Sequence, residues 1–299
     1  MTFYHLNPND PGERLARQLE RQDGYRVLRR LPRPDEMWCR SMPVSDNVIK
    51  LAIVDCETAG LDPARHKMIE FAVGKLTIDA EHGDVVDVTP PKSWLEDPAE
   101  DLPMEIERLT HITSDMLIGK WFPDDAIMNA FEGITAVVAH NAKFDRAFVT
   151  KRFPVLADRP WACSMSEIDW PALGWQGGRA IGTLLTSAGF FLPDAHRAAA
   201  DVWATTCLLA SVAPDGRTIA AHLIDVARRP SERLYAVRAP FDCKDALKAA
   251  GYRWSPERRA WWIEGDPERI ANEAAWCSQL STAVKPVIES ADWMNRHTS

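Results

Sequence analysis

Three apolar runs that follow one another along the chain place the strongest limit on its fold. We predict strands over 49–55, 68–78 and 85–88, because each run is rich in aliphatic residues and is bounded by turn residues. The connections at 60–63 and 81–84 are too short to contain a crossover helix. Sequential strands joined in this way form an antiparallel meander.

Helical and strand patterns alternate beyond the meander. A short all-apolar run at 136–139 predicts a strand buried on both faces, and 161–165 predicts a fifth strand. This order indicates an α/β fold, in which a mixed β-sheet of about five strands is flanked by helices. The spacing of apolar residues predicts helices over 104–109, 124–131, 144–153, 181–188, 198–212 and 218–227.

Two further parts flank this main domain, which we assign to 47–229. Residues 1–46 form an N-terminal arm with a short helix over 13–20 and seven arginines against three acidic residues over 13–33. Two alternatives stay open for the arm: it contacts a phosphate backbone, or it packs on the main domain. A small α+β module is predicted over 231–265, and a helix and patternless tail over 266–299.

Composition is that of a soluble globular protein, with 46% hydrophobic and 26% charged residues among 299. The net charge of −8 argues against a protein that coats nucleic acid through bulk electrostatics. No apolar run reaches the roughly 20 residues that span a bilayer. The six cysteines form no CxxC pair, so we expect a cytoplasmic protein with reduced thiols and no membrane contact.

Two carboxylates lie at the end of the first predicted strand. Asp55 and Glu57 are two residues apart, so both side chains point to the same face of that strand. Carboxylates at this spacing repel each other unless a cation joins them, and Mg²⁺ or Mn²⁺ prefers such oxygen ligands. The alternative is a solvated acidic pair on an exposed strand, which the apolar run at 51–54 disfavours.

Two later segments add two acids and a histidine. Asp145 begins the helix after strand 136–139, where the alternative role of a first-turn charge is common. Asp201 has apolar helical neighbours, and a metal ion would offset the cost of burying its charge there. His196 precedes the same helix and is a candidate general base, because histidine titrates near neutral pH.

The order of these residues resembles the DEDDh branch of the DnaQ-like 3′-to-5′ exonucleases, most of all exonuclease X and the proofreading-subunit type. The family motifs are matched by 55–58, 140–145 and 196–201, and 109–117 is similar to the segment that approaches the terminal nucleotide. The resemblance implies a ribonuclease-H-like fold and His196 as the base that deprotonates water. It implies two Mg²⁺ or Mn²⁺ ions held by Asp55, Glu57, Asp145 and Asp201. The substrate contacts expected from it are Thr58, Leu61, His111, Asn141 and Phe144.

The module at 231–265 resembles the HARP element, a nucleic-acid-binding unit of annealing helicases, through 237–242, 251–257 and 258–261. Interleaved arginine and tryptophan residues suit base stacking and phosphate contacts, so Arg253, Trp254 and Trp261 are candidate substrate contacts. The alternative is that Trp254, Trp261 and Trp262 form the core of a small domain.

These features predict a metal-dependent 3′-to-5′ exonuclease that hydrolyses phosphodiester bonds at the 3′ end of single-stranded DNA or frayed duplex ends. Its partner is nucleic acid with a free 3′ end, and its products are nucleoside 5′-monophosphates. The alternatives are an RNA-trimming exoribonuclease, and a polymerase-associated proofreading or nucleic-acid-binding protein with weak nuclease activity. Polymerase association is disfavoured, because a folded module rather than a flexible tether follows the main domain.

Overall fold

A computed structural model describes residues 9–34 and 47–298. The chain divides into two compact units, Met1–Val226 and Ala227–Ser299. The strands are β1 (Arg29–Arg30), β2 (Val48–Thr58), β3 (Met68–Asp79), β4 (Val85–Leu95), β5 (Ala136–Ala139), β6 (Trp161–Cys163), β7 (Phe190–Phe191), β8 (Ser231–Val237), β9 (Arg253–Ser255), β10 (Ala260–Gly265) and β11 (Lys285–Ala291). The α-helices are α1 (Pro11–Glu20), α2 (Met104–Thr110), α3 (Ser114–Leu117), α4 (Asp124–Asn129), α5 (Ala142–Arg152), α6 (Ile181–Ser187), α7 (Ala198–Ala210), α8 (Ile219–Ala227), α9 (Lys244–Ala249) and α10 (Pro267–Leu280).

The first unit is built on a five-stranded mixed sheet in the order β4-β3-β2-β5-β6. Strands β2, β3 and β4 form the predicted antiparallel meander, and β5 and β6 add parallel to β2. The predicted α/β sheet and its flanking helices are therefore confirmed. The third strand continues to Leu95, beyond the predicted end at 88.

The two faces of β2 carry different helices. Ala52, Val54 and Cys56 belong to an apolar core with Phe148 and Val149 of α5. Successive strand residues point to opposite faces, so the intervening residues, which include Leu51 and Ile53, face the other way. Helix α7 packs against β2, β3 and β4. The sheet is thus covered on both sides.

The described part of the N-terminal arm packs within the first unit. Strand β1 pairs in parallel with β7, and the indole nitrogen of Trp203 donates to the carbonyl of Pro32 at 2.7 Å. Arg29 makes ion pairs with Glu13 at 2.7 Å and with Glu20 at 2.8 Å. Its guanidinium is therefore occupied within the protein rather than presented to phosphates. Residues 1–8 and 35–46 of the predicted arm lie outside the described residues.

The second unit contains a four-stranded antiparallel sheet in the order β11-β8-β10-β9. The predicted hairpin is present as β9 and β10. Helix α10 packs on this sheet and contributes Ile270 and Cys277 to a core that includes Leu234 and Ile263.

The predicted boundary between 231–265 and 266–299 is wrong. Strand β11 pairs with β8 along its whole length, so the final segment completes the same sheet. The sequence of β11 lacks the period-two alternation of a half-buried strand, because its apolar residues Val287 and Ile288 are adjacent. Both side chains are largely exposed, at 42% and 46%. An edge strand with little buried surface carries no such signal.

None of the helices in the described ranges combines the length and hydropathy that a bilayer span requires. The five cysteines in those ranges form no disulfide bond with one another, and Cys39 lies outside the ranges.

Gly83 joins β3 to β4 and offers a test of how tightly the meander packs on α8. Its φ is +79°, and an added Cβ would lie 2.5 Å from the Cβ of Ala221. We expect Gly83→Ala to lower the free energy of unfolding by roughly 2–4 kcal/mol, from left-handed strain and steric overlap. Gly24, with φ +90° and nothing within 4 Å, is the matched control. Urea denaturation should show a loss of only about 1 kcal/mol for Gly24→Ala, whereas equal losses would contradict the packing.

Candidate metal centre

Three carboxylates meet at the end of β2. Asp55 and Glu57 project from the same face of the strand, and Asp201 lies in the first turn of α7. One ligand oxygen from each carboxylate lies within 4.8 Å of the others. The structure therefore brings together three of the four predicted metal-binding acids.

Asp145 reaches the end of β2 from α5, on the other side of the strand. Asn141 adopts a left-handed conformation with φ 87° at the N-terminus of this helix, which lets the chain turn sharply out of β5. An oxygen of Asp145 accepts a hydrogen bond from the Cys56 backbone nitrogen at 3.1 Å, and the Cys56 thiol donates to the same oxygen at 3.4 Å. Asp145 is thus held beside the triplet, to which it does not belong.

The pKa values of all four carboxyl groups are raised. Desolvation is the largest cause for Asp55, and the neighbouring charges of Asp145 and Asp201 add to it. Desolvation also raises the pKa of Glu57 and of Asp145 to about 7, and that of Asp201 to about 6. Acids that resist ionising together are typical of a cation site.

The donor set fits a hard divalent cation. Each member of the triplet offers a carboxylate oxygen, and Mg²⁺ and Mn²⁺ prefer oxygen to sulfur or imidazole ligands. Asp55, Glu57 and Asp201 are the residues that could hold such an ion.

His196 lies at the surface, immediately before α7. Its backbone is in the left-handed region at φ 64°, which is uncommon for a residue other than glycine. Its backbone nitrogen donates to Asp201 Oδ2 at 3.0 Å, so the loop is tied to one acid of the triplet. That hydrogen bond uses the backbone, and the imidazole side chain of His196 is exposed.

Glu70 and Arg197 are two residues of this region that the motifs alone did not single out. Glu70 lies on β3 directly across from Glu57, is only 1% exposed, and pairs with the Arg197 guanidinium at 3.0 Å. The signal available in the sequence was one glutamate within the apolar run at 68–73.

The expected substrate contacts of the first unit differ in exposure. The hydroxyl of Thr58 is buried and donates to a nearby backbone carbonyl at 2.8 Å. Leu61 is 81% exposed, and His111 ends α2 at the surface with φ 57°. Phe144 is half-buried against Phe148, with ring centroids 5.0 Å apart. Their contact with a substrate stays a prediction.

The three candidate contacts of the second unit lie on two faces of its sheet. Trp254 pairs across from Trp261, and their rings meet edge to face with centroids 5.6 Å apart. Trp254 is 49% exposed, whereas Trp261 packs partly against the core. Arg253 pairs across from Trp262 and lies 5.6 Å from the centroid of that ring. Adjacent residues alternate in a strand, so Arg253 is on the opposite face.

The mixed sheet and the acids at the end of β2 define a ribonuclease-H-like class of protein. The exonuclease model of the RNase_T family matches residues 52–209, and the chain belongs to this family. The matched region contains Asp55, Glu57, Asp145, His196 and Asp201.

Curated relatives are PolC-type DNA polymerase III enzymes. That of Halalkalibacterium halodurans is 31% identical over 176 residues, which cover 56% of this chain and 11% of the relative. That of Clostridium perfringens is 35% identical over 101 residues, which cover 33% and 6%. The chain therefore spans about a tenth or less of the length of these relatives.

Two solved structures show a distant likeness. Exonuclease X in complex with 5′ overhanging duplex DNA has 23% identity and a TM-score of 0.38, covering 70% of this chain and 97% of the other. Exonuclease I of E. coli in complex with a dT13 oligonucleotide has 15% identity and a TM-score of 0.49, covering 83% and 64%.

The raised pKa values predict how the stability of the metal-free protein depends on pH. Between about pH 4, where such acids titrate in the unfolded chain, and about pH 7, where Glu57 and Asp145 titrate in the folded chain, the folded state binds more protons. Stability should therefore fall as the pH rises through this window. We expect the thermal midpoint in EDTA to be lower at pH 8 than at pH 5.

Added Mg²⁺ or Mn²⁺ should raise that midpoint more at pH 8 than at pH 5, because the ion binds the ionised carboxylates. Glu57→Gln should flatten the pH dependence. A thermal midpoint that rises with pH in EDTA would count against a cation site. So would a midpoint that neither Mg²⁺ nor Mn²⁺ changes.

Proposed function

We propose that this protein is a 3′-to-5′ exonuclease, which uses divalent metal ions to hydrolyse the terminal phosphodiester bond of single-stranded DNA or of frayed duplex ends. The observation that carries the proposal is the carboxylate triplet Asp55, Glu57 and Asp201, with Asp145 beside it, in a member of an exonuclease family. The products are nucleoside 5′-monophosphates.

Two Mg²⁺ or Mn²⁺ ions are the proposed cofactors. Asp55, Glu57 and Asp201 would hold one ion, and Asp145 would take part in holding the second. Bound there, the ions supply an acidic water and stabilise negative charge on the attacking and leaving oxygens of an in-line displacement.

The protein's own residues then divide the remaining work. His196 accepts the proton of the attacking water, for which its exposed imidazole and its backbone link to Asp201 suit it. Thr58, Leu61, His111, Asn141 and Phe144 are the proposed contacts of the terminal nucleotide. Among them, Leu61 offers an apolar surface that is 81% exposed and free to pack on a base.

DNA is the favoured substrate because the curated relatives are DNA polymerases. A separate tether to a polymerase is not proposed, because the residues after the nuclease domain fold into a unit with its own sheet and core.

Substitution of the triplet tests the activity. We expect Asp55→Ala and Asp201→Asn to lower the turnover number by about a thousandfold or more, because acids that share a cation act as one unit. Both variants should stay folded, since each removes a repelling carboxylate. Asp125→Asn, at an exposed position of α4, is the matched control and should retain activity.

The assay uses oligonucleotides labelled at the 3′ or the 5′ end: single-stranded DNA, duplex DNA and RNA, each with Mg²⁺, Mn²⁺ or EDTA. Degradation should begin at the 3′ end, require metal and favour single-stranded DNA. Shortening from the 5′ end, or activity in EDTA, would refute the proposal. Faster cleavage of RNA than of single-stranded DNA would show that RNA is the preferred substrate.

The second unit is proposed to hold single-stranded substrate through Trp254 and Trp261. Their edge-to-face pair leaves half of Trp254 exposed, and the ammonium of Lys248 lies 6.0 Å from the centroid of Trp261. An exposed indole beside a cation suits base stacking together with attraction of the phosphate backbone.

Trp254→Ala tests this surface. Loss of one stacked base costs about 1–3 kcal/mol, so we expect affinity for single-stranded DNA to fall roughly fivefold or more. Arg253→Ala is the matched comparison, because Arg253 lies in the same strand on the opposite face, and its effect should be smaller. Fluorescence anisotropy in an Asp55→Ala background measures binding without cleavage. A larger loss of affinity for Arg253→Ala than for Trp254→Ala would contradict the proposal, because it would place the DNA-binding surface on the face that carries Arg253.

A further inference from the structure

Glu70 is a buried carboxylate that the proposed chemistry does not use. It lies in β3, directly across from Glu57, and only 1% of it is exposed. Its Oε2 accepts hydrogen bonds from Arg197 Nε at 3.0 Å and from the Ala198 backbone nitrogen at 3.1 Å. Its Oε1 accepts a third from Arg197 Nη2 at 3.1 Å.

These bonds tie the two side chains to each other and to the start of α7. Both oxygens of Glu70 are engaged, and Glu70 is not part of the triplet whose oxygens lie within 4.8 Å of one another. The Nε and Nη2 atoms of Arg197 are both turned onto Glu70, in the forked geometry of an Arg–carboxylate pair. A metal-ligand role for Glu70 and a phosphate-binding role for Arg197 are both poorer explanations of this geometry.

The same bonds define the beginning of α7. Arg197 is the N-cap residue, and its own side chain does not cap the helix. The Ala198 backbone nitrogen is one of the N–H groups that a helix leaves without an internal partner, and Glu70 accepts from it. A carboxylate there is also favoured by the helix dipole. Glu70 therefore anchors the helical turn that carries Asp201.

His196 lies between two anchored groups. Its own backbone nitrogen donates to Asp201 at 3.0 Å, and the next residue is Arg197, which Glu70 holds. The φ of 64° at His196 costs about 1 kcal/mol for a residue with a Cβ. Such a conformation persists where the surrounding contacts impose it. The direction in which the imidazole leaves the backbone thus depends on both anchors.

We propose that Glu70 and Arg197 form a clamp that sets the position of His196 relative to the acids at the end of β2. Both are positioning residues and act through His196 and the first turn of α7. The catalytic consequence rests on the proposed function, whereas the restraint on the loop does not. A buried ion pair is often no more stabilising than apolar residues of similar size, so its contribution here is geometric.

Arg197→Ala, Arg197→Lys and Glu70→Gln test the clamp in the full chain. We expect Arg197→Ala to lower kcat roughly 10- to 100-fold through a misplaced base, with KM for a 3′-labelled oligonucleotide little changed. Arg197→Lys should recover part of the loss, because it restores the charge without the fork. Arg217→Ala, which breaks an exposed pair with Asp225 at 2.8 Å, is the control and should keep wild-type kcat.

Amide hydrogen exchange of the metal-free variants provides a readout that does not need activity. Exchange over 194–201 should be faster in Arg197→Ala than in wild type or Arg217→Ala, with exchange in α5 unchanged. Unchanged exchange would overturn the clamp, and faster exchange with wild-type kcat would overturn its link to catalysis.

The two proposals can fail separately. A wild-type protein that cleaves no nucleic acid refutes the proposed function, and the exchange comparison still decides whether the pair restrains the loop. If Glu70→Gln does not fold, the Arg197 variants, at a position 33% exposed, carry the test.

Discussion

Repulsion among the carboxylates at the end of β2 is the constraint on which the rest of the first unit depends. Asp55, Glu57, Asp145 and Asp201 come from three elements. Desolvation is the largest cause of the raised pKa of each, and the charge of at least one neighbouring acid adds to it. Nothing in their own interactions would keep them together without a cation. A five-stranded sheet covered on both faces supplies the packing that offsets this repulsion.

Backbone and side-chain donors then fix the individual acids. Cys56 donates to Asp145 through its backbone and its thiol, and the backbone of His196 donates to Asp201. Glu70 anchors the helix that carries Asp201. The two donors, Cys56 and His196, lie within the segments 55–58 and 196–201, so these segments contain groups that orient the acids as well as acids themselves. Such an arrangement holds the acids ready for cations with little rearrangement.

Local pattern was sufficient to predict the five strands of the mixed sheet. The runs at 49–55, 68–78 and 136–139 are strands because continuous apolar sequences must be buried. The first two pair in antiparallel orientation, and the third joins β2 in parallel after a long connection. Strand β11 escaped prediction because its apolar side chains lie on an exposed edge. Arg253 and Trp254 lie on opposite faces of the sheet because adjacent strand residues alternate. This became clear only from the pairing of β9 with β10, in which they face Trp262 and Trp261.

The sequence by itself determined the order of the elements, the two-residue spacing that places Asp55 and Glu57 on one face, and the resemblance that joins them to Asp145, His196 and Asp201. Only the tertiary structure decided that α7 covers that face, so that Asp201 completes the triplet while Asp145 approaches from the other side. It also decided the pairing of Glu70 with Arg197, which are 127 positions apart. Spacing along a strand or helix is set by local backbone geometry, whereas contacts between distant segments depend on which faces pack together.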